Sequence, residues 1–378
     1  MTDLADIPEP DRAEGAPHPR ETARLHGQEA AEAAFLEAFT SGRLHHAWLI
    51  SGPTGVGKAT LAWKIARFLL AEAPAEAGLF GAPPPPATLD VPPDHPIVRR
   101  TTALSEPRLC LVRRGWDQKE KRLKTEITVD EARKIKTFLS LSATDGGRRV
   151  ILVDSVDEMN ANAANALLKI LEEPPVRTTL LLVSHQPARL LPTIRSRCRD
   201  LRCATLGPGD LAAALEATGI AVPENGAALA ELSGGAPGQA QELVTLDGLA
   251  SYAELVALLA GAPAMDRARA ARLTEGLRAS DPRTPLLARL IETALARLSA
   301  TGSGHPPARE AASGEARMLA RLSPSLPAAH AWAELHQSLG ARARHGLAVN
   351  LDPSALILDI LLTINETASR LGLGQRNP

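Results

Sequence analysis

The stretch HAWLISGPTGVGKAT, residues 46–60, decides the fold class of this chain. An apolar run precedes a glycine-rich loop, and a helical pattern with Leu61, Ile65 and Leu69 on one face follows it. In this order of strand, G-x-x-x-x-G-K loop and helix, backbone N–H groups and a helix N-terminus converge on phosphate. The stretch therefore predicts a buried parallel strand followed by a P-loop.

The candidate nucleotide site consists of this loop and one carboxylate further along the chain. We expect Lys58 to contact the β- and γ-phosphates of a nucleotide. Asp154 ends the apolar run RRVILVD, residues 148–154, where an acidic side chain can hold the ligand shell of Mg²⁺. The residues assigned to this degenerate site are Gly52, Pro53, Thr54, Gly55, Val56, Gly57, Lys58, Ala59, Thr60 and Asp154.

The loop lacks the hydroxyl side chain that normally follows its lysine. Ala59 stands at that position, and Thr60 lies about 100° further around the helix, away from a metal. Without the hydroxyl, the loop loses one Mg²⁺ ligand. The loop therefore either holds ATP or ADP without turnover or is a relic that preserves the fold without a ligand.

The end of the second strand lacks a catalytic base. Ser155 follows Asp154, and a hydroxyl is a poor proton acceptor near neutral pH. Asp157 and Glu158 are close enough in sequence to replace it, but the sequence does not give their direction. Asp154 has a second interpretation, in which its carboxylate caps the next helix. Together these patterns predict no ATPase activity of the chain itself.

Strand patterns alternate with helical patterns up to residue 206 and are absent after it. The predicted strands are 46–51, 108–113, 148–154, 178–184 and 200–206. Such alternation predicts a parallel sheet with right-handed crossovers. We predict a disordered leader (1–20), an α/β domain (21–206) with an Ala/Pro-rich insert (71–96), a small helical lid (207–247) and an all-α C-terminal domain (248–378).

The bulk composition excludes several classes of protein. Lys and Arg number 42 against 43 Asp and Glu, so the net charge of −1 gives no general attraction to nucleic acid or membranes. No apolar segment reaches the length of a membrane-spanning helix, so no membrane contact is expected. The cysteines Cys110, Cys198 and Cys203 have no metal-ligand spacing and fit a reducing compartment. We therefore expect a cytoplasmic protein without a metal site.

A basic stretch from Arg99 to Lys124 contains nine Lys and Arg against three Asp and Glu, with Trp116 among them. Its basic side chains and tryptophan are suited to touching phosphate and stacking a base. The alternative is a solvated loop whose tryptophan packs locally, because charge runs usually mark solvated surface.

Three stretches together resemble the clamp-loader AAA+ family of bacterial DNA polymerase III. They are residues 25–70, NANAANALLKILEEPP (160–175) and LLPTIRSRCRDLRC (190–203), and NLDPSALILDILLTI (350–364) resembles the final collar helices of that family. The resemblance implies an α/β AAA+ P-loop domain with a parallel sheet, a small helical lid and an all-α C-terminal collar domain that mediates oligomerisation.

Within that family, the resemblance is greatest to the delta-prime type of subunit. Motor subunits keep Lys-Thr or Lys-Ser in the loop and Asp-Glu on the strand, where this chain has Lys58-Ala59 and Asp154-Ser155. They also carry a lid arginine, for which this chain has Gly238. The resemblance thus implies a non-hydrolysing component of a DNA-directed DNA polymerase holoenzyme.

Two further expectations come from the resemblance. Many relatives carry a four-cysteine zinc module where this chain has its Ala/Pro-rich insert, and since Cys110 stands alone we expect no zinc and no required cofactor. The arginine of Ser-Arg-Cys, Arg197 in this chain, is implied to reach the ATP site of a neighbouring subunit as an arginine finger. The alternative for Arg197 is an ordinary surface ion pair.

The implied partners are the gamma/tau ATPase subunits, the delta subunit, primed DNA within the complex and, indirectly, the sliding clamp. Two other functions stay open from the sequence. One is an active P-loop ATPase, either a gamma/tau-like motor subunit or another AAA+ ATPase. The other is a DNA-binding module outside replication.

Overall fold

The computed structural model describes residues 9–12, 17–22, 24–72, 85–140, 147–348 and 351–373. Within them the chain divides into two compact units. The first runs to Thr218 and includes residues 236–238, and the second consists of residues 219–235 and those from Gln239 onward. The predicted lid segment, residues 207–247, is divided between these two units. The separate lid and collar domains stay predictions.

The first unit is built on a five-stranded parallel sheet. Its strands are β1 (Ala47–Ser51), β2 (Leu109–Val112), β5 (Arg149–Asp154), β6 (Thr178–Ser184) and β7 (Arg199–Arg202). Their order in the sheet is β2-β5-β6-β1-β7, and all neighbours are parallel. The five strands predicted from sequence are therefore confirmed. β7 begins one residue earlier than predicted, at Arg199, and ends at Arg202 rather than at residue 206.

The central strands are buried because helices cover the sheet. Every residue of β1 and β6 is buried, which explains why their sequences are continuous apolar runs rather than alternating ones. The helices of this unit are α1 (Glu29–Thr40), α2 (Lys58–Ala71), α3 (Pro96–Thr102), α4 (Val129–Ser140), α5 (Ala161–Glu172), α6 (Pro192–Arg195) and α7 (Pro208–Glu216). A short antiparallel hairpin of β3 (Trp116–Asp117) and β4 (Arg122–Leu123) lies outside the sheet.

The described parts of the predicted disordered leader, residues 1–20, make defined contacts. Arg113 pairs with the carboxylates of Asp11 and Glu9, and the imidazole of His18 lies 3.1 Å from Asp11. The side chains of His18 and Asp11 are almost fully buried. The acidic residues whose composition indicated disorder are thus paired with a cationic side chain of the folded unit. Arg113 is distant from them in sequence, so the sequence did not indicate this pairing.

The predicted Ala/Pro-rich insert is only partly described. Residues 73–84 lie outside the described residues, and residues 85–95 contain no helix or strand. Leu89 is nevertheless buried, and Lys64 of α2 pairs with Asp90 at 2.9 Å. The described part of this segment is therefore attached to α2.

The second unit is helical in its described part. Its helices are α8 (Gly226–Ser233), most of α9 (Pro237–Thr245), α10 (Gly248–Leu259), α11 (Arg267–Thr274), α12 (Arg283–Gly302), α13 (Glu315–Leu322), α14 (Leu326–Ala348) and α15 (Pro353–Arg370). A buried polar group, in which Tyr252 donates to Glu315 at 2.5 Å and Arg297 pairs with Glu315 at 2.8 Å, joins α10, α12 and α13. Among the described helices, none has an apolar stretch long enough for a bilayer crossing.

The sheet core allows a direct test of the fold. Leu182 is fully buried in β6, between Leu49 of β1 and Val153 of β5. We expect Leu182→Ala to lower the free energy of unfolding by about 2–5 kcal/mol, because it leaves a cavity between packed strands. Denaturant unfolding followed by tryptophan fluorescence measures the change. Val176→Ala, at a position 85% exposed, is the control, and equal stability of the two variants would contradict the fold.

Candidate functional site

The phosphate loop lies at the carboxyl end of β1, directly before α2. Gly52 has φ +147°, and a Cβ on it would lie 2.7 Å from the carbonyl oxygen of Cys203 after β7. Only glycine fits there, so this first loop position is set by close backbone approach as well as by backbone conformation. The remaining loop residues, 53–57, lead into α2, which begins with Lys58.

Lys58 is bound by its own loop. Its ammonium group donates to the carbonyl oxygens of Gly52 at 2.8 Å and Pro53 at 2.5 Å, and the residue is only 3% exposed. Burial lowers its pKa from 10.5 to about 8, because the charged form is desolvated. The side chain that would hold phosphate is therefore directed at loop carbonyls in this structure.

A second chain segment closes on the loop at Gly55. The backbone N–H of Gly238 donates to the carbonyl oxygen of Gly55 at 2.8 Å, and both residues belong to the first compact unit. A Cβ on Gly238 would lie 3.0 Å from the Cα of Gly55. The position where the family resemblance placed a lid arginine is thus in backbone contact with the loop, and a side chain there would require the loop to shift.

Asp154 lies at the carboxyl end of β5 and is almost fully buried. Its pKa is raised from 3.8 to about 7, mainly by burial and in part by the nearby carboxylates of Asp11 and Glu158. Lys58 and Arg113 act in the opposite direction. Burial therefore disfavours the ionised form of this carboxyl group.

The two carboxylates that followed Asp154 in sequence have other partners. Asp157 accepts hydrogen bonds from the hydroxyl of Ser184 at 2.8 Å and from the backbone N–H of His185. Glu158 pairs with Arg114 at 3.0 Å. Asp157 thus stabilises the turn after β6, and Glu158 is paired with the guanidinium of Arg114. Neither carboxylate is therefore free to act as a general base.

The alternative role of Asp154 as a helix cap is wrong. The next α-helix, α5, is capped by Asn160, whose side-chain oxygen accepts from the backbone N–H of Ala163 at 3.0 Å. Ser155 begins the intervening turn, and its buried hydroxyl has no hydrogen-bond partner.

The residues present do not fit a magnesium nucleotide. Ala59 offers no oxygen, Thr60 is the third residue of α2 and lines a cavity of about 300 Å³ together with Lys64 and Arg67, and Asp154 has a raised pKa. Among the described residues, no group of three or more His, Cys, Asp or Glu side chains is arranged to hold a metal ion. The assignment of the loop as a nucleotide site stays a prediction.

Gln28 was not predicted as a site residue, although its side chain links three segments around the phosphate loop. Its amide donates to the carbonyl oxygens of Val56 at 3.2 Å and Ala204 at 2.8 Å, and its oxygen accepts from the N–H of Ala204 at 3.0 Å. This buried amide joins the start of α1, the phosphate loop and the segment after β7. The only sequence signal was a glycine-glutamine pair, Gly27-Gln28, before a helix.

Arg197 lies away from the loop, in the turn between α6 and β7. Its Nη2 is 2.9 Å from Oε1 of Glu172, and its Nη1 donates to the carbonyl oxygen of Thr193 at 3.0 Å. The arginine side chain is 36% exposed. Arg197 therefore takes part in a surface ion pair and also presents an accessible cation, so both sequence interpretations are compatible with its geometry.

Most cations of the basic stretch 99–124 are neutralised within the fold. Their partners are acidic side chains: Arg100 and Arg108 pair with Glu106, Arg113 with Glu9 and Asp11, Arg114 with Glu158, and Arg122 with Glu120. Trp116 is half-buried in the hairpin. These contacts argue against a dedicated DNA contact, but the stretch is not a single solvated loop, because it contains the end of α3, the strand β2 and the hairpin of β3 and β4.

The buried ammonium of Lys58 predicts a pH dependence of stability. Folded Lys58 loses its proton near pH 8 but the unfolded chain does so only near 10.5, so unfolding takes up a proton between these values. We expect wild type to gain stability relative to Lys58→Met as the pH rises through this window, by at most about 1.4 kcal/mol per pH unit. Denaturant unfolding at several pH values measures the difference.

Lys136→Met is the matched control, because Lys136 is exposed on α4. Its stability difference from wild type is expected to stay constant over the same pH range. A constant difference for Lys58→Met as well would show that the ammonium group is not buried.

Residues 27–206 are similar in sequence to subunits of DNA polymerase III. The family model described as DNA polymerase III, delta subunit, matches residues 27–206. DNA polymerase III subunit delta' of Pseudomonas aeruginosa is 41% identical over 202 residues, which are 52% of this chain and 55% of that protein. The delta' subunit of Escherichia coli is 29% identical over 170 residues, 43% of this chain and 44% of that protein.

A relative of the other subunit type also matches. DNA polymerase III subunit gamma of Buchnera aphidicola subsp. Schizaphis graminum is 30% identical over 195 residues, 51% of this chain and 47% of that protein. The chain spans about half the length of the curated relatives that it matches. Within those limits, residues 27–206 of this chain are similar to the family described as DNA polymerase III, delta subunit, and to its delta' and gamma relatives.

Proposed function

We propose that this chain is a non-hydrolysing, delta-prime-like subunit of the DNA polymerase III clamp loader. It assembles with ATPase subunits that load the sliding clamp onto primed DNA during replication. The observation that carries this proposal is at the end of β5, where Ser155 rather than a second acidic residue follows Asp154. Because the loop also lacks a hydroxyl at Ala59, the pocket is not equipped for turnover of a magnesium nucleotide.

The proposal gives Arg197 the role of an arginine finger in trans. Its guanidinium is accessible and lies at the edge of the unit, after α6. A guanidinium is suited to the charge that spreads over a transferred phosphoryl group, because it offers several N–H donors in a fixed plane. In comparable systems, such a residue contributes about 10³–10⁵ in rate to the site that it contacts.

The partners of the proposed subunit follow from the names of its relatives. Relatives named as delta', gamma and gamma/tau subunits of DNA polymerase III each match about half of the chain. We propose direct contacts with the gamma/tau ATPase subunits and with the delta subunit, and an indirect one with the clamp. The subunit is proposed to be cytoplasmic and to require neither zinc nor a cofactor.

An active motor subunit is the second candidate function. It is favoured by the gamma and gamma/tau relatives, which match this chain at 30% identity. It requires a hydroxyl after Lys58 and a base after Asp154, and this chain has Ala59 and Ser155. An ATPase assay of the purified chain separates the two candidates, because only the motor subunit turns over ATP alone.

The finger is tested by single-turnover ATP hydrolysis in the reconstituted complex. We expect Arg197→Ala to slow one kinetic phase by at least about 100-fold, since one neighbouring site loses its cation. Arg195→Ala is the matched control, because Arg195 is an exposed arginine two residues away. Gel filtration checks that both variants assemble. Unchanged kinetics with Arg197→Ala would overturn the proposed finger.

A further inference from the structure

We infer that Glu172 is a positioning residue for Arg197, an inference that rests on the proposed function above. The carboxylate of Glu172 lies 2.9 Å from Nη2 of Arg197, and the carbonyl oxygen of Thr193 accepts from Nη1 at 3.0 Å. These two acceptors hold the guanidinium from two sides while its side chain stays 36% exposed. The structure thus presents the cation in a defined orientation.

The backbone under Arg197 is fixed, so its long side chain is the mobile part. Ile194 is buried in the core, and Cys198 packs against the same core. The N–H of Arg197 donates to the carbonyl oxygen of Ile194 at 3.1 Å, and the N–H of Cys198 donates to that of Arg195 at 3.2 Å. An arginine side chain keeps its rotamer freedom when nothing holds it. A carboxylate beside it therefore determines where the guanidinium spends its time.

Glu172 stands on a rigid support. It is the last residue of α5, whose inner face is buried through Leu167 and Leu171. Pro174 and Pro175 follow and prevent the helix from continuing. The carbonyl groups at this end of α5 add negative partial charge, which favours a nearby cation. Both the carboxylate and the helix end therefore attract Arg197 to one place.

The pair contributes to geometry rather than to stability. Glu172 is 50% exposed, and ion pairs of this exposure add little to stability. A guanidinium has five N–H donors, and the two contacts of Arg197 leave others for phosphate oxygens. Contact with Glu172 is therefore compatible with contact to a nucleotide on a neighbouring subunit. Loss of the carboxylate leaves the cation present but poorly placed.

The inference is tested in the reconstituted complex, with the kinetic phase that Arg197→Ala slows as the readout. We expect Glu172→Gln to slow that phase about ten-fold, with the concentration of ATP at half-maximal rate unchanged, because misplacement of a catalytic group affects the chemical step. In the Arg197→Ala background, Glu172→Gln is expected to have no further effect. Glu173→Gln is the matched control, since Glu173 is the exposed neighbour.

Each other outcome has a distinct meaning. If Arg197→Ala changes no phase, the proposed finger is wrong and the positioning role falls with it. If Arg197→Ala slows a phase but Glu172→Gln does not, only the positioning role is overturned. A faster phase with Glu172→Gln would mean that the carboxylate restrains the arginine instead, and an added loss in the double variant would mean that Glu172 acts independently; either result overturns the inference.

Discussion

Burial of the parallel sheet is the constraint on which the first unit depends. Its strands β1, β5 and β6 are enclosed by helices and filled with apolar side chains, so polar chemistry is confined to their carboxyl ends. The phosphate loop follows β1, Asp154 ends β5, and the turn held by Asp157 follows β6. The candidate nucleotide site is therefore formed at these strand ends and at the start of α2, which supplies Lys58.

The same burial determines the electrostatics of that site. Lys58 has a lowered pKa and Asp154 a raised pKa, and in both the largest cause is loss of solvent around the charged form. A buried charge needs paired or hydrogen-bonded partners. Lys58 finds carbonyl oxygens of its own loop, whereas Asp154 stands among other carboxylates, including Asp11. The ammonium group of Lys58 therefore has hydrogen-bond partners within its own loop, whereas burial and nearby carboxylates disfavour the ionised form of Asp154.

The charged side chains at the outer edge of the unit are exposed rather than buried. Arg197 and Glu172 are held at the surface on segments whose backbones are anchored in the core, so their charges are solvated but well placed. Charges of this kind add little to stability and are available to a neighbouring molecule. This placement leaves the cation of Arg197 accessible to a neighbouring molecule, which is the physical basis of the proposed function.

The sequence by itself determined the sheet and the phosphate loop. It also showed that position 59 has no hydroxyl and that position 155 has no carboxylate. These features depend on local apolar periodicity and motif spacing, which record burial and backbone conformation directly. Sequence also selected Arg197, but only through resemblance to a family. It misjudged β7, which ends earlier than its apolar pattern, and it left the direction of Asp157 open.

Only the tertiary structure decided which distant groups meet. Gly238 contacts Gly55, and Asp11 pairs with Arg113, although each pair is far apart in sequence. Hydrogen bonds and ion pairs act over a few ångströms and leave no periodic trace in the chain, so their partners are fixed by the way helices pack on the sheet. For the same reason the motif spacing did not indicate that Lys58 contacts two carbonyl oxygens of its own loop.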